Sequence, residues 1–198
     1  MHAHIHTLLI TLFSTLILNA GGKEITPVSS DTIAIEDDGG FYVGGAFAHF
    51  GLYNTDAHEN LTARALTLIA GYEINRYLSI EGRYTQSSNV AYHKDKQTKP
   101  LTSHYTDTAL YAKIGYPVGS ITPYVLTGYG RNTITNLIGS DRTENAIRYG
   151  AGVSIKATES FSLFGDYVRA YQGKGFDGRA TAEHQHINLL SAGIIYKF

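Results

Sequence analysis

The sequence predicts an all-β fold, an eight-stranded antiparallel up-and-down transmembrane β-barrel, and three observations carry that prediction. From Phe41 onward the chain resolves into runs of about ten residues with apolar side chains at alternate positions, the length and period of a tilted membrane strand. The links between runs alternate in length: 75–76, 117–120 and 157–160 are short, whereas 51–63, 87–104, 132–146 and 172–186 are long. The last run, Asn188–Phe198, sets Leu190, Ala192, Ile194, Tyr196 and Phe198 on one apolar face and closes on an aromatic ring. A soluble domain more often ends on frayed, polar residues.

Composition agrees with this reading. Only 17% of the 198 residues are charged, against about 25% in an average soluble domain. The chain carries 21 Gly and 15 Tyr but 4 Pro and no Trp, a mixture suited to twisted strands with aromatic ends. No apolar run after residue 20 reaches the roughly 20 residues of a membrane helix. A formal net charge of -1 argues against a nucleic-acid binder, and the absence of cysteine excludes disulfides, thiolate metal sites and a lipid anchor on Cys.

Taken in order, residues 1–20 read as a signal peptide, with the apolar core Leu8–Leu18 and cleavage expected after Ala20. The segment departs from the usual pattern in having His2, His4 and His6 where Lys or Arg is normal, and in the bulk of Leu18. Residues 21–40 form a polar, acidic, flexible lead, and the barrel occupies 41–198. The first run, Phe41–Phe50, is apolar on both parities, so its facing stays open, as does that of the fifth, Ile121–Arg131. The second, Arg64–Ile74, turns Leu66, Leu68, Ala70, Tyr72 and Ile74 outward. The third, Tyr77–Gln86, turns Leu78, Ile80, Gly82 and Tyr84 outward and Ser79, Glu81, Arg83 and Thr85 inward.

The fourth run, Tyr105–Tyr116, separates Leu110, Ala112, Ile114 and Tyr116 from Asp107, Tyr111, Lys113 and Gly115. Pro117–Ser120 makes a turn. The sixth, Ile147–Lys156, opposes Ile147, Tyr149, Ala151, Val153 and Ile155 to Arg148, Gly150, Gly152, Ser154 and Lys156. The seventh, Phe161–Tyr171, repeats the pattern of the third, and Asn188–Phe198 is the eighth.

The pieces F-Y-V-G-G, G-Y-E-I-N-R-Y-L-S-I-E-G-R-Y and I-T-P-Y-V-L-T-G-Y-G resemble the small bacterial outer-membrane β-barrel family that includes opacity-type adhesins. Ser191-x-Gly193-x-x-Tyr196-x-Phe198 likewise resembles the assembly signal of such barrels, which their barrel assembly machinery reads in the unfolded chain. The resemblance implies a bacterial outer-membrane location, short periplasmic turns and long external loops. It also implies contact with outer-membrane lipid and lipopolysaccharide, a monomer, and no cofactor. Replacing Phe198 by alanine is accordingly expected to lower the yield of folded barrel and leave unfolded chain in the periplasm. Unchanged amounts of the heat-modifiable folded form on gels would refute that expectation.

Glu73, Glu81, Arg83, Lys113, Arg148, Lys156 and Asp166 fall on inward parities, where opposite charges pair away from lipid. They read as a structural plug rather than a pore lining, because an eight-stranded barrel is barely wide enough for side chains. His49, His58, His93, His104, His184 and His186 map to external loops or outer strand ends and read as solvated groups rather than a metal site. A His-x-Ser pair of the lipid A deacylase kind is missing, since His186 and Asn188 follow His184 and His186 at that spacing. Gly173-x-Gly175-x-x-Gly178 has dinucleotide spacing without the flanking strand and helix. The basic stretch Lys94–Lys99 reads as a solvated loop tip. The expected function is non-catalytic, a structural or adhesive surface protein binding some surface ligand, with a narrow pore or a lipid-modifying enzyme as alternatives.

Overall fold

A computed structural model describes residues 39–54, 60–94, 97–137, 140–174, 176 and 184–198. The expected signal peptide, the lead up to residue 38 and His58 lie outside the described residues. Eight strands follow one another as β1 (Gly40–Asn54), β2 (Asn60–Asn75), β3 (Leu78–Lys94), β4 (Gln97–Gly115), β5 (Ile121–Leu137), β6 (Ser140–Lys156), β7 (Phe161–Lys174) and β8 (His184–Lys197). Each pairs antiparallel with the next, and β8 returns to β1 with Val43 opposite Tyr196 and Phe47 opposite Ala192. Closure leaves no unpaired sheet edge, a condition that hydrocarbon imposes on any membrane-spanning sheet.

The outer wall is an apolar band. Leu66, Leu68, Leu110, Ile147 and Leu190 stand exposed along it, and both rims of the band carry rings. At the end where the described chain begins and finishes, hereafter the terminal end, Phe41 packs edge-on to Tyr72 at 4.8 Å and Phe161 lies 5.0 Å from Tyr196. At the opposite, distal end the exposed rings are Tyr84, Tyr129, Tyr149 and Tyr167. Two belts of this kind mark the two faces of a bilayer.

The structure decides the two facings that the sequence left open. On β1, Tyr42, Ala46, Ala48 and Phe50 point inward and Phe41, Val43 and Phe47 outward; on β5, Tyr124, Leu126 and Ile134 are inside and Val125 and Tyr129 outside. Both parities are apolar there because these strands contribute to two apolar environments, the lipid and an interior core.

Short turns close the terminal end by local chemistry. The Asn75 carboxamide oxygen accepts from the backbone N–H of both Tyr77 and Leu78, each at 2.9 Å, so the turn is Arg76–Tyr77, one residue later than the sequence suggests. Val118 and Ile121 exchange backbone hydrogen bonds around Gly119, whose φ of 63° suits the first central position of a II′ hairpin turn. The Thr158 hydroxyl accepts from the N–H of Phe161 at 3.0 Å.

Two of the expected long loops, 87–104 and 132–146, are corrected to paired strands. β3 and β4 pair as far as Lys94 opposite Gln97, and β5 and β6 as far as Leu137 opposite Ser140. The strands overrun the lipid because their backbone goes on pairing beyond register shifts at residues 86–91 and 134–137, and because Leu52, Leu61, Ala63, Val90, Tyr105 and Ile134, on the distal stretches, are buried inside the barrel. A strand length set by bilayer thickness alone misses this second source of stabilisation.

Candidate functional site

The interior is stratified from end to end. Nearest the terminal end is a polar cavity of about 340 Å³, walled by Ser79, Thr122, Ser154 and Ser162, with Lys113 also lining it. At its mouth Glu73 pairs with Lys197.

Above the cavity lies a charged belt. The Arg83 guanidinium donates from Nε to Glu81 Oε1 at 2.5 Å and from Nη2 to Asp166 Oδ2 at 2.7 Å. It thereby ties two carboxylates, one on its own strand and one on β7 across the lumen. Tyr42 donates to Glu81 Oε2 at 2.8 Å and Tyr124 to Asp166 Oδ2 at 2.9 Å. Lys113 sits 3.7 Å from Glu81 and 4.3 Å from the centre of the Tyr124 ring. One level further, Arg148 donates to Asp107 Oδ2 at 2.7 Å and to the Tyr111 hydroxyl at 3.3 Å. Three cations face three carboxylates, so the formal charges of the belt cancel; directed hydrogen bonds hold the two arginines, and Lys113 sits within ion-pair distance of Glu81.

The distal third is an apolar core. Phe50 stacks on Tyr105 at 4.1 Å, and with Val90, Ile134, Ala170 and Ile187 these side chains are wholly buried. A polar insertion at its centre is hydrogen-bonded: Tyr105 donates to Asn132 Oδ1 at 2.8 Å, and the Asn132 amide donates to the Ala170 carbonyl at 3.2 Å.

Of the seven charges picked out by parity, the structure brings Glu81, Arg83, Lys113 and Asp166 into one cluster and places Arg148 just above it. Glu73 stands at the cavity mouth instead. Lys156 lines the mouth of the same cavity: it stands exposed at the last residue of β6 and pairs with Glu159 of the adjoining turn at 2.8 Å, because the strand ends there and its inward parity opens onto solvent. Asp107, the partner of Arg148, was legible as an inward residue but lacked an identified mate. The sequence reading places Val90 and Ile134 of the apolar core in loops and so does not find the core; continued alternation through Leu61, Ala63 and Ala65 is the available signal that the strands run on.

The five described histidines, His49, His93, His104, His184 and His186, lie on strands. His49 and His104 are exposed on β1 and β4, and the His93 ring nitrogen Nε2 is 2.9 Å from the Thr62 hydroxyl. His186 stacks on Tyr53 at 5.4 Å. Partial burial, aided by the charge of Arg169, pushes the His186 imidazole below the usual histidine range, which favours the neutral ring at pH 7. Among the described residues no group of three or more His, Asp or Glu side chains converges as metal ligands. Gly173 lies on β7, while Gly175 and Gly178 are outside the described residues; Lys94 and Gln97 begin and end the tip of the β3–β4 hairpin.

Comparison with known proteins bears on this geometry. A family model described as "Outer membrane protein beta-barrel domain" matches residues 26–198. No curated protein sequence matches the chain. Among solved structures, Neisserial surface protein A is 23% identical, with 80% of this chain and 97% of that one covered at a TM-score of 0.57. The outer membrane protein OprG from Pseudomonas aeruginosa is 11% identical, with 80% and 96% covered at a TM-score of 0.54. These two likenesses are of fold.

Proposed function

Because the chain belongs to the outer membrane protein β-barrel family, we propose that it is a non-catalytic surface protein of the bacterial outer membrane, closed to ions, whose distal hairpins make its binding contacts. The observation that carries this reading is the wholly buried distal core around Phe50, Tyr105, Val90, Ile134 and Ile187, stacked on a charge belt in which three cations meet three carboxylates. A pore needs a continuous wet path, and an enzyme needs a reactive group with access to substrate; a lumen filled by packed rings and salt bridges offers neither.

The same core supports hairpins that rise past the lipid band. β3 continues from Gln86 to Lys94, on the order of 25 Å along the strand at about 3.3 Å per residue. Such rigid, paired backbone presents side chains to a partner without the ordering cost of a long free loop. With even strand number both ends of the barrel chain share one side, and the short turns there leave little surface for a ligand. In this reading that side is periplasmic and the hairpins face outward.

The test has two arms. A tag or single cysteine at Thr143 should be labelled on intact cells, whereas one at Gly119 should require a permeabilised outer membrane. The purified barrel in planar bilayers should pass no steady current. Labelling of Gly119 alone on intact cells reverses the orientation, and regular single-channel steps from the folded protein refute closure.

A further inference from the structure

At the distal end of the lipid band the outer wall changes chemistry within a single row of side chains. On β4, β5 and β6 the outward residues Leu110, Tyr129 and Ile147 stand side by side, and the next outward row is Thr108, Arg131 and Asn145. On β1 and β2, Phe47 and Leu66 are followed by His49 and Arg64, beside Ser88 of β3, whose hydroxyl donates to the Arg64 carbonyl at 3.2 Å. On β7 and β8, Tyr167 and Leu190 are followed by Arg169 and Asn188. This outward row therefore holds three arginines and a histidine and no carboxylate.

None of the three arginines makes an ion pair among the described residues, in contrast to the interior cations, and the Nε of Arg169 is buried with no hydrogen-bond partner in the protein. Two of the arginines border grooves in the wall. One, of about 580 Å³, is formed by Thr108, Leu110, Tyr129, Arg131 and Asn145; the other, of about 410 Å³, by Phe47, Arg64, Leu66, Gln86 and Ser88. Each groove has the same plan, a guanidinium with one or two small polar groups at the upper edge and bare apolar side chains directly below.

A guanidinium at the edge of hydrocarbon, with no protein carboxylate to meet it, is matched by an anion held at that depth. The planar fork suits phosphate, and the apolar floor suits an acyl chain attached to it. We propose that these two grooves are binding sites for the phosphorylated glycolipid of the outer leaflet. One phosphate is held on Arg131 and another on Arg64, with acyl chains running down past Leu110 and Tyr129 and past Phe47 and Leu66. Arg169 extends the same cationic row to β7. The choice of the glycolipid over a phospholipid rests on the orientation proposed above, which sets this row in the outer leaflet; the phosphate chemistry itself does not depend on it.

The test uses the whole folded barrel in detergent micelles, with retained lipid counted by native mass spectrometry. The probes are bisphosphorylated lipid A, its dephosphorylated form, and phosphatidylglycerol. Lipid A is expected to bind roughly tenfold more weakly to Arg131→Gln and to Arg64→Gln, the loss of one charge-assisted contact. It should bind more weakly still to the variant lacking Arg64, Arg131 and Arg169 together. Arg131→Lys, which keeps the charge but not the fork, should fall between, and Arg76→Gln at the terminal turn should bind as the parent does. Dephosphorylated lipid A should bind the parent as weakly as lipid A binds the variants.

Heat-modifiable migration verifies folding, and if the triple variant does not fold, the single variants and the dephosphorylated lipid decide the question. Parent-like lipid A binding by Arg131→Gln and Arg64→Gln, or equal binding of dephosphorylated lipid, overturns the sites. Equal retention of phosphatidylglycerol overturns the glycolipid assignment. The micelle assay is blind to orientation, so a reversed result in the cell-labelling experiment is read separately.

Discussion

Replacing Arg83 by methionine is expected to cost the folded barrel about 3–5 kcal/mol, the range found when one partner of a buried ion pair is removed. Methionine fills much of the same stem volume, so the loss is electrostatic rather than a cavity. Glu81 and Asp166, whose side chains are 0% exposed, would keep Tyr42 and Tyr124 as donors but lose the guanidinium that lies between them. Lys113, at 3.7 Å from Glu81, compensates one carboxylate only in part. The measurement is a urea titration of the refolded barrel in liposomes, read by the gel shift between folded and unfolded forms. Adding Asp166→Asn, which leaves Glu81 paired with Lys113 and the belt neutral, should restore most of the loss, because the penalty lies in the unpaired charge and not in the missing arginine. A single Arg83→Met variant within about 1 kcal/mol of the parent, the scale of an exposed pair, would mean that the belt is hydrated and not the closed network described.

Lysine at Ile80 is expected to cost about 1–2 kcal/mol, because Ile80 faces lipid opposite Tyr72 of the terminal-end rim. That lies between the roughly 2–4 kcal/mol of a cation at the bilayer midplane and the roughly 0–1 kcal/mol of one at the interface. Ile80 is 47% exposed on the outer wall, between Tyr72 of β2 and Ala112 of β4. Its chain neighbour Ser79 points into the terminal-end cavity, flanked in register by Glu73 and Lys113. A lysine there meets water and a carboxylate as well as a like charge, so Ser79→Lys should cost clearly less. The two substitutions add the same side chain one residue apart, so the difference in their urea midpoints isolates the environment. Equal losses would put both faces of β3 in the same medium, which no membrane barrel allows.

Most of the barrel was legible in the sequence because its two media impose a two-residue period. Leu78, Ile80 and Tyr84 against Ser79, Glu81 and Arg83 is a pattern that a one-residue slip would invert entirely, and the outward set on β2, β3, β4 and β6 is found where that pattern puts it. Strand ends were less legible. Bilayer thickness explains about ten residues of a strand but not why β3 and β4 go on pairing to Lys94 and Gln97. The facing of β1 and β5 was hidden for a related reason: Phe47 faces lipid and Phe50 faces the distal core, and hydrophobicity by itself does not distinguish one apolar medium from another.

The sequence by itself determined the number of strands, the closed antiparallel order, the side of the short turns and which charges turn away from lipid. Each of these is written in local period and turn chemistry, which act over a few residues. Only the tertiary structure decided which of those charges meet. Arg83 and Asp166 are 83 positions apart and come within 2.7 Å because closure sets β3 and β7 on facing sides of a narrow lumen, and Lys156, of the same parity, is left at the rim because its strand stops there. The stacking of Phe50 on Tyr105 and the alignment of Arg64, Arg131 and Arg169 along one level of the wall have the same origin. They depend on the stagger between strands, a property of the closed sheet that no single strand carries.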